Sequence, residues 1–225
     1  MLKLRKAEAS DVDFIVAAII AAESACSAEG QTAYEKMFNL PRAELQTVLS
    51  AVLESGGTGH QLTRQSFYVL DTDGQPAATC AAWVESSAGG GSGARMASAL
   101  VRELGMQRFA SAARQMRALS SAMPKRTPGA VQMETFYVAP QRRGMGLTRT
   151  LIRDVCDSLE GDGISFDTIE IALLDANTAA RKAYERSGLA LAGQTASQDP
   201  EFFELMGAHG FVQMRGSKLD VRGPA

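Results

Sequence analysis

Residues 139–147, Ala-Pro-Gln-Arg-Arg-Gly-Met-Gly-Leu, connect a β-rich run to an amphipathic one through a turn that holds two glycines. Gly144 and Gly146 remove Cβ atoms where the backbone must turn tightly, so the N–H groups of residues 142–147 can converge on one spot at a helix N-terminus. Such a spot takes an anion, and pyrophosphate is the obvious occupant; Arg142 and Arg143 add positive charge beside it. No Gly-Lys-Ser/Thr follows and no G-x-G-x-x-G is present, so this is neither a Walker loop nor a dinucleotide turn. On these residues alone, a purely structural turn is the alternative. A second chemical feature lies just upstream. Strand alternation over 131–138 (VQMETFYV) places Gln132, Glu134, Phe136 and Val138 on one face and Met133, Thr135 and Tyr137 on the other. A carboxylate inside a central strand is costly unless it has a partner, such as an arginine, or a task.

The elements that position these groups follow from periodicity. Residues 2–6 alternate as a strand; 14–22 is an apolar helical run; 67–70 and 77–85 flank Asp71-Thr-Asp-Gly74 as a β-hairpin. Residues 96–119 carry a helical period with Gly105 as a break, 147–159 is an amphipathic helix, 168–174 a strand, and 177–188 a helix closed by Gly188. Residues 189–193 and 211–216 are final strands. Strands that alternate with helices imply parallel pairing of the 131 and 168 strands within a mixed sheet that is antiparallel at its start.

Composition bounds the rest. The 225 residues are 45% hydrophobic and 21% charged, which fits one α/β domain over 1–225 with insertions and excludes a disordered, collagen-like or disulfide-scaffold chain. No apolar run reaches ~18 residues, so no membrane span is expected, and the early acidic residues argue against a secretory signal. Cys26, Cys80 and Cys156 are odd in number and far apart, which makes a reducing cytoplasm the expected location. With only His60 and His209 as histidines, no metal site is expected. The net charge of −2 argues against nucleic acid as a partner.

The Q-x-x-G-x-G of residues 141–146 follows Phe-Tyr-Val-Ala-Pro, and about thirty residues later comes Asn177-Thr-Ala-Ala-Arg-Lys-Ala-Tyr184-Glu-Arg-Ser-Gly188. In type, spacing and order these two segments resemble the signatures of the GNAT N-acetyltransferase superfamily. The resemblance is clear over 131–193, plausible over 2–20 and 67–85, and says little of the remainder. It implies a centrally splayed mixed sheet flanked by helices, with a helical insertion between strands 3 and 4, and acetyl-CoA as acyl donor without a metal. By this resemblance the pyrophosphate sits on Gln141, Arg142, Arg143, Gly144, Met145, Gly146 and Leu147. The pantetheine arm pairs with the backbone near Phe136 and Val138, and Asn177 hydrogen-bonds it. Tyr184 lies near the thioester sulfur, where a phenol of pKa ~10 can protonate the leaving thiolate; the alternative is a core tyrosine. Glu134 takes the amine proton, directly or through water, and the N–H of Val138 meets the oxyanion. An acyl-cysteine route is disfavoured, because Cys80 and Cys156 read as core residues and Cys26 has no nearby histidine.

An N-acetyltransferase acting by direct attack in a ternary complex is therefore expected, with a primary amine on a small molecule as acceptor. A protein N-terminus or lysine is the second choice, and a non-catalytic acyl-CoA-binding module the competing class. Residues 7–60 hold eight acids, Glu23 among them, against Lys36 and Arg42, whereas 86–128 hold seven bases against Glu103. An acidic wall suits a cationic amine, although such faces can simply be solvated. Residues 86–94 (SSAGGGSGA) are expected to hinge the insertion over 86–128, which could act as a lid or exchange between subunits of a homodimer. The loop 195–210 is the other candidate gate, where Phe202, Phe203 and His209 could line a pocket; His209 is read as a surface histidine ahead of a catalytic base.

Overall fold

A computed structural model of the chain describes residues 2–222. Its centre is a seven-stranded sheet in the order β1-β2-β3-β4-β5-β7-β6. The strands are β1 (Leu2–Lys6), β2 (Phe67–Thr72), β3 (Gln75–Val84), β4 (Val131–Val138), β5 (Thr168–Leu174), β6 (Ala190–Ala196) and β7 (Gly210–Ser217). All neighbours are antiparallel except β4 and β5. The final two strands thus enter the sheet in reverse order.

Helices α1 (Val12–Glu23), α2 (Ala33–Phe38), α3 (Arg42–Glu54), α4 (Gly91–Leu104), α5 (Met106–Ser111) and α6 (Ala113–Ala122) cover one face. Helices α7 (Leu147–Gly161), α8 (Thr178–Arg186) and, after α9 (Pro200–Met206) on the first face, α10 (Lys218–Arg222) cover the other. The reason is visible in α7, where Leu147, Leu151, Ile152, Val155, Cys156 and Leu159 form one buried stripe at helical spacing. Gly188 closes α8 at φ +94°, and a Cβ there would stand 2.1 Å from the carbonyl oxygen of Asp220, so only glycine lets α10 pack against this turn.

The insertion is three helices, interrupted at Gly105 as expected. The glycine run foreseen as a hinge opens α4 instead, and its first turn is held down. The buried Glu85 carboxylate accepts from Ser92 N at 2.9 Å, from Ser92 Oγ and from Trp83 Nε1 at 3.1 Å. A carboxylate on free N–H groups at a helix start is a favourable charge-assisted cap.

The decisive departure from simple alternation lies in β4. Thr135 adopts φ +55°, and the register against β3 slips there, so that Tyr137 pairs with Thr79 but Glu134 pairs with Ala81. One extra residue on β4 makes a β-bulge. Gln132 and Glu134 therefore point to the α1 side, while Val131, Met133, Phe136 and Val138 belong with the core under α7. The expectation that Glu134, Phe136 and Val138 share one face is wrong, because the bulge reverses the alternation between them. No helix among the described residues is long and apolar enough to cross a membrane.

Candidate active site

β4 and β5 are bonded only at Val131–Ile169 and Gln132–Glu170. At this closed end the Glu170 carboxylate accepts from Gln132 Nε2 at 2.8 Å, Thr127 N at 3.0 Å and Arg215 Nη2 at 2.6 Å. Beyond it the strands splay, β4 running on to Val138 and β5 to Leu174 without a ladder between them. The gap opens into a cavity of about 1210 Å³.

The turn after β4 forms one end of that cavity. Arg142 N and Arg143 N donate to Ala139 and Pro140 carbonyls at 2.8 and 3.3 Å, closing a short 3₁₀ turn. Those two amides are not available to an anion, contrary to the expected span of 142–147. From Gly144 to Thr148, by contrast, no backbone N–H meets an acceptor among the described residues, and Gly146 caps α7 without any side-chain cap. Gly144 and Gly146 take φ +81° and +72°, and a Cβ on either would meet nothing within 4 Å, since both face open space. Free amides, a helix N-terminus and Arg142, Arg143 and Arg149 on the same wall make this an anion cradle.

Along the gap, Ala139 N donates to Ala77 O at 2.9 Å across the β3 side. Alternate amides of a strand point to opposite edges, so the N–H of Val138 points toward the gap. On the β5 side stands Tyr184, 6% exposed, with its ring 5.2 Å from that of Phe136. Its hydroxyl makes no hydrogen bond among the described residues. Burial, with Cys80 and Glu134 nearby, raises its pKa, so the phenol keeps its proton. Asn177 caps α8, its Oδ1 accepting from Ala180 N at 3.1 Å, which leaves its amide NH₂ to donate.

Of the residues singled out in the sequence, Glu134, Phe136, Val138, Arg142, Arg143, Gly144, Gly146, Leu147, Asn177 and Tyr184 all border this one cavity. Gln141 and Met145 are exposed outside it. Phe202 is buried in the core and Phe203 stacks on His209 at 4.8 Å away from the cavity, so none of the three lines it; His209 is exposed, a surface histidine as expected. Cys26, Cys80 and Cys156 are free thiols; burial holds all three up, Cys156 to about 12, which keeps them from being nucleophiles.

The far end of the cavity was less legible. Glu134 is ion-paired with Arg126 at 2.5 Å, and Arg126 also donates to Ser92 Oγ at 2.8 Å and lies 5.3 Å from the Trp83 ring. Beside this pair is Glu23, the last residue of α1, which makes no hydrogen bond or ion pair among the described residues. Enclosure by protein, reinforced by the charge of Glu134, pushes its pKa up to about 7. The only sequence signal for Glu23 was a carboxylate ending an apolar helix. Tyr34 lies near it, and Met37, Phe38, Met96 and Phe109 line the same cavity. No group of three or more His, Cys, Asp or Glu among the described residues is placed to hold a metal.

Comparison with known proteins agrees with this geometry. The family model "Acetyltransferase (GNAT) family" matches residues 35–189. No curated protein matches the sequence. Among solved structures, an N-acetyltransferase from Staphylococcus aureus Mu50 superimposes with a TM-score of 0.60 at 13% identity, over 95% of this chain and 100% of that one. A structure described as an acetyltransferase gives 0.60 at 12% identity, over 96% and 100%. AAC(6')-Ib, solved with ribostamycin and coenzyme A, gives 0.51 at 14% identity, over 96% and 93%. At these identities the likeness is one of fold, and the matched family model supplies the classification. The chain belongs to the GNAT family of acetyltransferases and is an acyltransferase of that family.

Proposed function

We propose that this acyltransferase moves the acetyl group of acetyl-CoA to a primary amine on a small molecule, both substrates lying in the cleft between β4 and β5. The observation that carries the proposal is the convergence, in one cavity, of the unbonded amides of Gly144, Gly146, Leu147 and Thr148, the gap-facing N–H of Val138 and the unbonded phenol of Tyr184. The residues fit the donor. The cradle of 144–148 with Arg142 and Arg143 suits its pyrophosphate, the open edge of β4 at Phe136 and Val138 suits an amide-bearing arm, and Asn177 can donate to that arm.

When bound, acetyl-CoA supplies a thioester carbonyl open to attack by an amine. In this reading the N–H of Val138 donates to the carbonyl oxygen as it gains charge. Tyr184 is placed to give its proton to the departing sulfur, a role its raised pKa permits because the phenol stays protonated at neutral pH. The carboxylates that could receive the amine proton, Glu134 and Glu23, stand at the other end of the cavity. AAC(6')-Ib, of similar fold, was solved with ribostamycin and coenzyme A together, which supports a small molecule as acceptor.

The test is the stoichiometry of thiol release. With acetyl-CoA and a panel of amines, one free thiol should appear for each acetylated amine. Thiol release without acetylated amine, or no release with any amine, would defeat the proposal.

A further inference from the structure

The acceptor end of the cavity has a composition that selects among amines. Its walls are mostly apolar, with Met37 and Phe38 from α2, Met96 and Leu100 from α4, Phe109 from α5 and Met116 from α6, and Gln61 as a polar exception whose Oε1 has no partner. Tyr34, Phe38 and Phe109 form a stacked column with ring centroids 6.5 and 6.0 Å apart. Thus α4, α5 and α6, the insertion whose function the sequence left open, supply much of this lining. The arginines that border the cavity, Arg142, Arg143, Arg149 and Arg186, come from the turn, α7 and α8 rather than from this chamber.

Two carboxylates reach the chamber, and they are not equivalent. Glu134 is neutralised by Arg126. Glu23 has no such partner, and its position is unfavourable on three counts. It ends a helix, where the dipole already presents negative charge; it is half-buried in the cavity wall; and it stands near Glu134. A carboxylate kept in such a place without a counter-charge is poised to receive one.

We propose that the acceptor is a monoamine on an apolar, alkyl or aryl, body, and that Glu23 receives its ammonium and takes its proton. This rests on the acetyl-transfer reading above. One carboxylate without a counter-charge in a chamber rich in methionine and phenylalanine matches one ammonium on a hydrocarbon. A polyamine or aminosugar would bring several further ammonium or hydroxyl groups, for which the lining offers few polar partners beyond Gln61 and Tyr34 among the apolar side chains. In the step, an N–H bond of the ammonium breaks and an O–H bond forms on Glu23. The neutral amine then forms the C–N bond, the C–S bond breaks with its electron pair on sulfur, and Tyr184 protonates that sulfur. The second N–H proton returns to the Tyr184 oxygen, and Glu23 releases its proton to solvent. The groups that face Glu23 are Glu134 of β4, Tyr34 of α2 and, behind Glu134, Arg126.

The test compares kcat/KM for hexylamine and phenethylamine with that for spermidine, ribostamycin and a lysine-containing peptide, using wild type, Glu23→Gln and Glu134→Gln. The apolar monoamines should lead by about 10²-fold or more. Glu23→Gln should lower their kcat/KM by about 10²-fold and abolish the acidic limb of the pH profile near 7. Glu134→Gln should move that limb to lower pH, since it removes the like charge beside Glu23. Preference for the polycations or the peptide, or a Glu23→Gln enzyme with wild-type rate and limb, would overturn the proposal. The melting temperature with acetyl-CoA separates the two levels of the account. If acetyl-CoA stabilises the protein and polycations are acetylated, only this inference fails. If acetyl-CoA does not stabilise it, the acetyl-transfer reading fails and takes this inference with it.

Discussion

Glu134 and Phe136, two residues apart on β4, face opposite sides of the sheet. Glu134 meets Arg126 beneath the insertion, and Phe136 packs on Tyr184 over the other core. In a regular strand they would share a face. The bulge at Thr135 separates them, so the carboxylate wall and the phenol reach the cleft from two sides of the same strand.

That bulge holds a β-branched residue in the left-handed region, at φ +55°. Thr135→Gly relieves this strain and should raise stability by about 0.5–1 kcal/mol, read as a higher denaturant midpoint at unchanged slope. Deleting Thr135 should instead restore simple alternation with Glu134 and Phe136 still on opposite faces, so the variant should fold and its melting temperature should still rise with acetyl-CoA.

The cradle can be tested without disturbing the core. A Cβ at Gly146 meets no atom within 4 Å, so Gly146→Ala should fold, at a cost of about 1 kcal/mol for a positive φ. The added methyl intrudes where the donor's pyrophosphate would lie. KM for acetyl-CoA should rise about tenfold or more while KM for the amine changes little.

Tyr184→Phe keeps the ring that packs against Phe136 and removes only the phenol. Its kcat should fall by about 10²-fold with the melting temperature little changed, because the lost hydroxyl faces the cavity and bonds no other residue. The wild-type enzyme should show no basic limb from this tyrosine below pH ~10, since its pKa is raised.

Glu23 links activity to stability with a definite sign. Its pKa is about 7 in the fold, raised by burial and by Glu134, against an ordinary value of 4.5. The folded state therefore holds this proton more tightly than the unfolded chain. The associated stability is complete below pH ~4.5 and declines as pH rises toward 7, by as much as ~3 kcal/mol. Glu23→Gln should flatten that decline and melt higher than wild type at pH 8, even as it loses turnover.

Much of this arrangement was legible in the sequence. The limits of β4 and β5 and the glycines of the turn followed from alternation and from the need for open backbone. The bulge did not, because nothing in Glu-Thr-Phe marks a positive φ; glycine or asparagine would have. Arg126 as the partner of Glu134 was equally hidden. It lies eight residues upstream, and its place depends on the Thr127–Glu170 contacts that fold the end of the insertion onto β5. Glu23 is brought to the cleft by the packing of α1 against β4, a tertiary relation that local pattern does not encode. The reversed order of β6 and β7 is likewise a matter of which strand completes the sheet beside β5.

The most direct measurement is the melting temperature of the protein as acetyl-CoA is added. A donor that binds only the folded cleft must stabilise it, by about 2.7 kcal/mol at a hundredfold excess over Kd. The account predicts a clear rise for wild type and a smaller one for Gly146→Ala at the same concentration. No rise at millimolar acetyl-CoA would contradict it, because the free amides of 144–148 and the gap between β4 and β5 would then have no donor to hold.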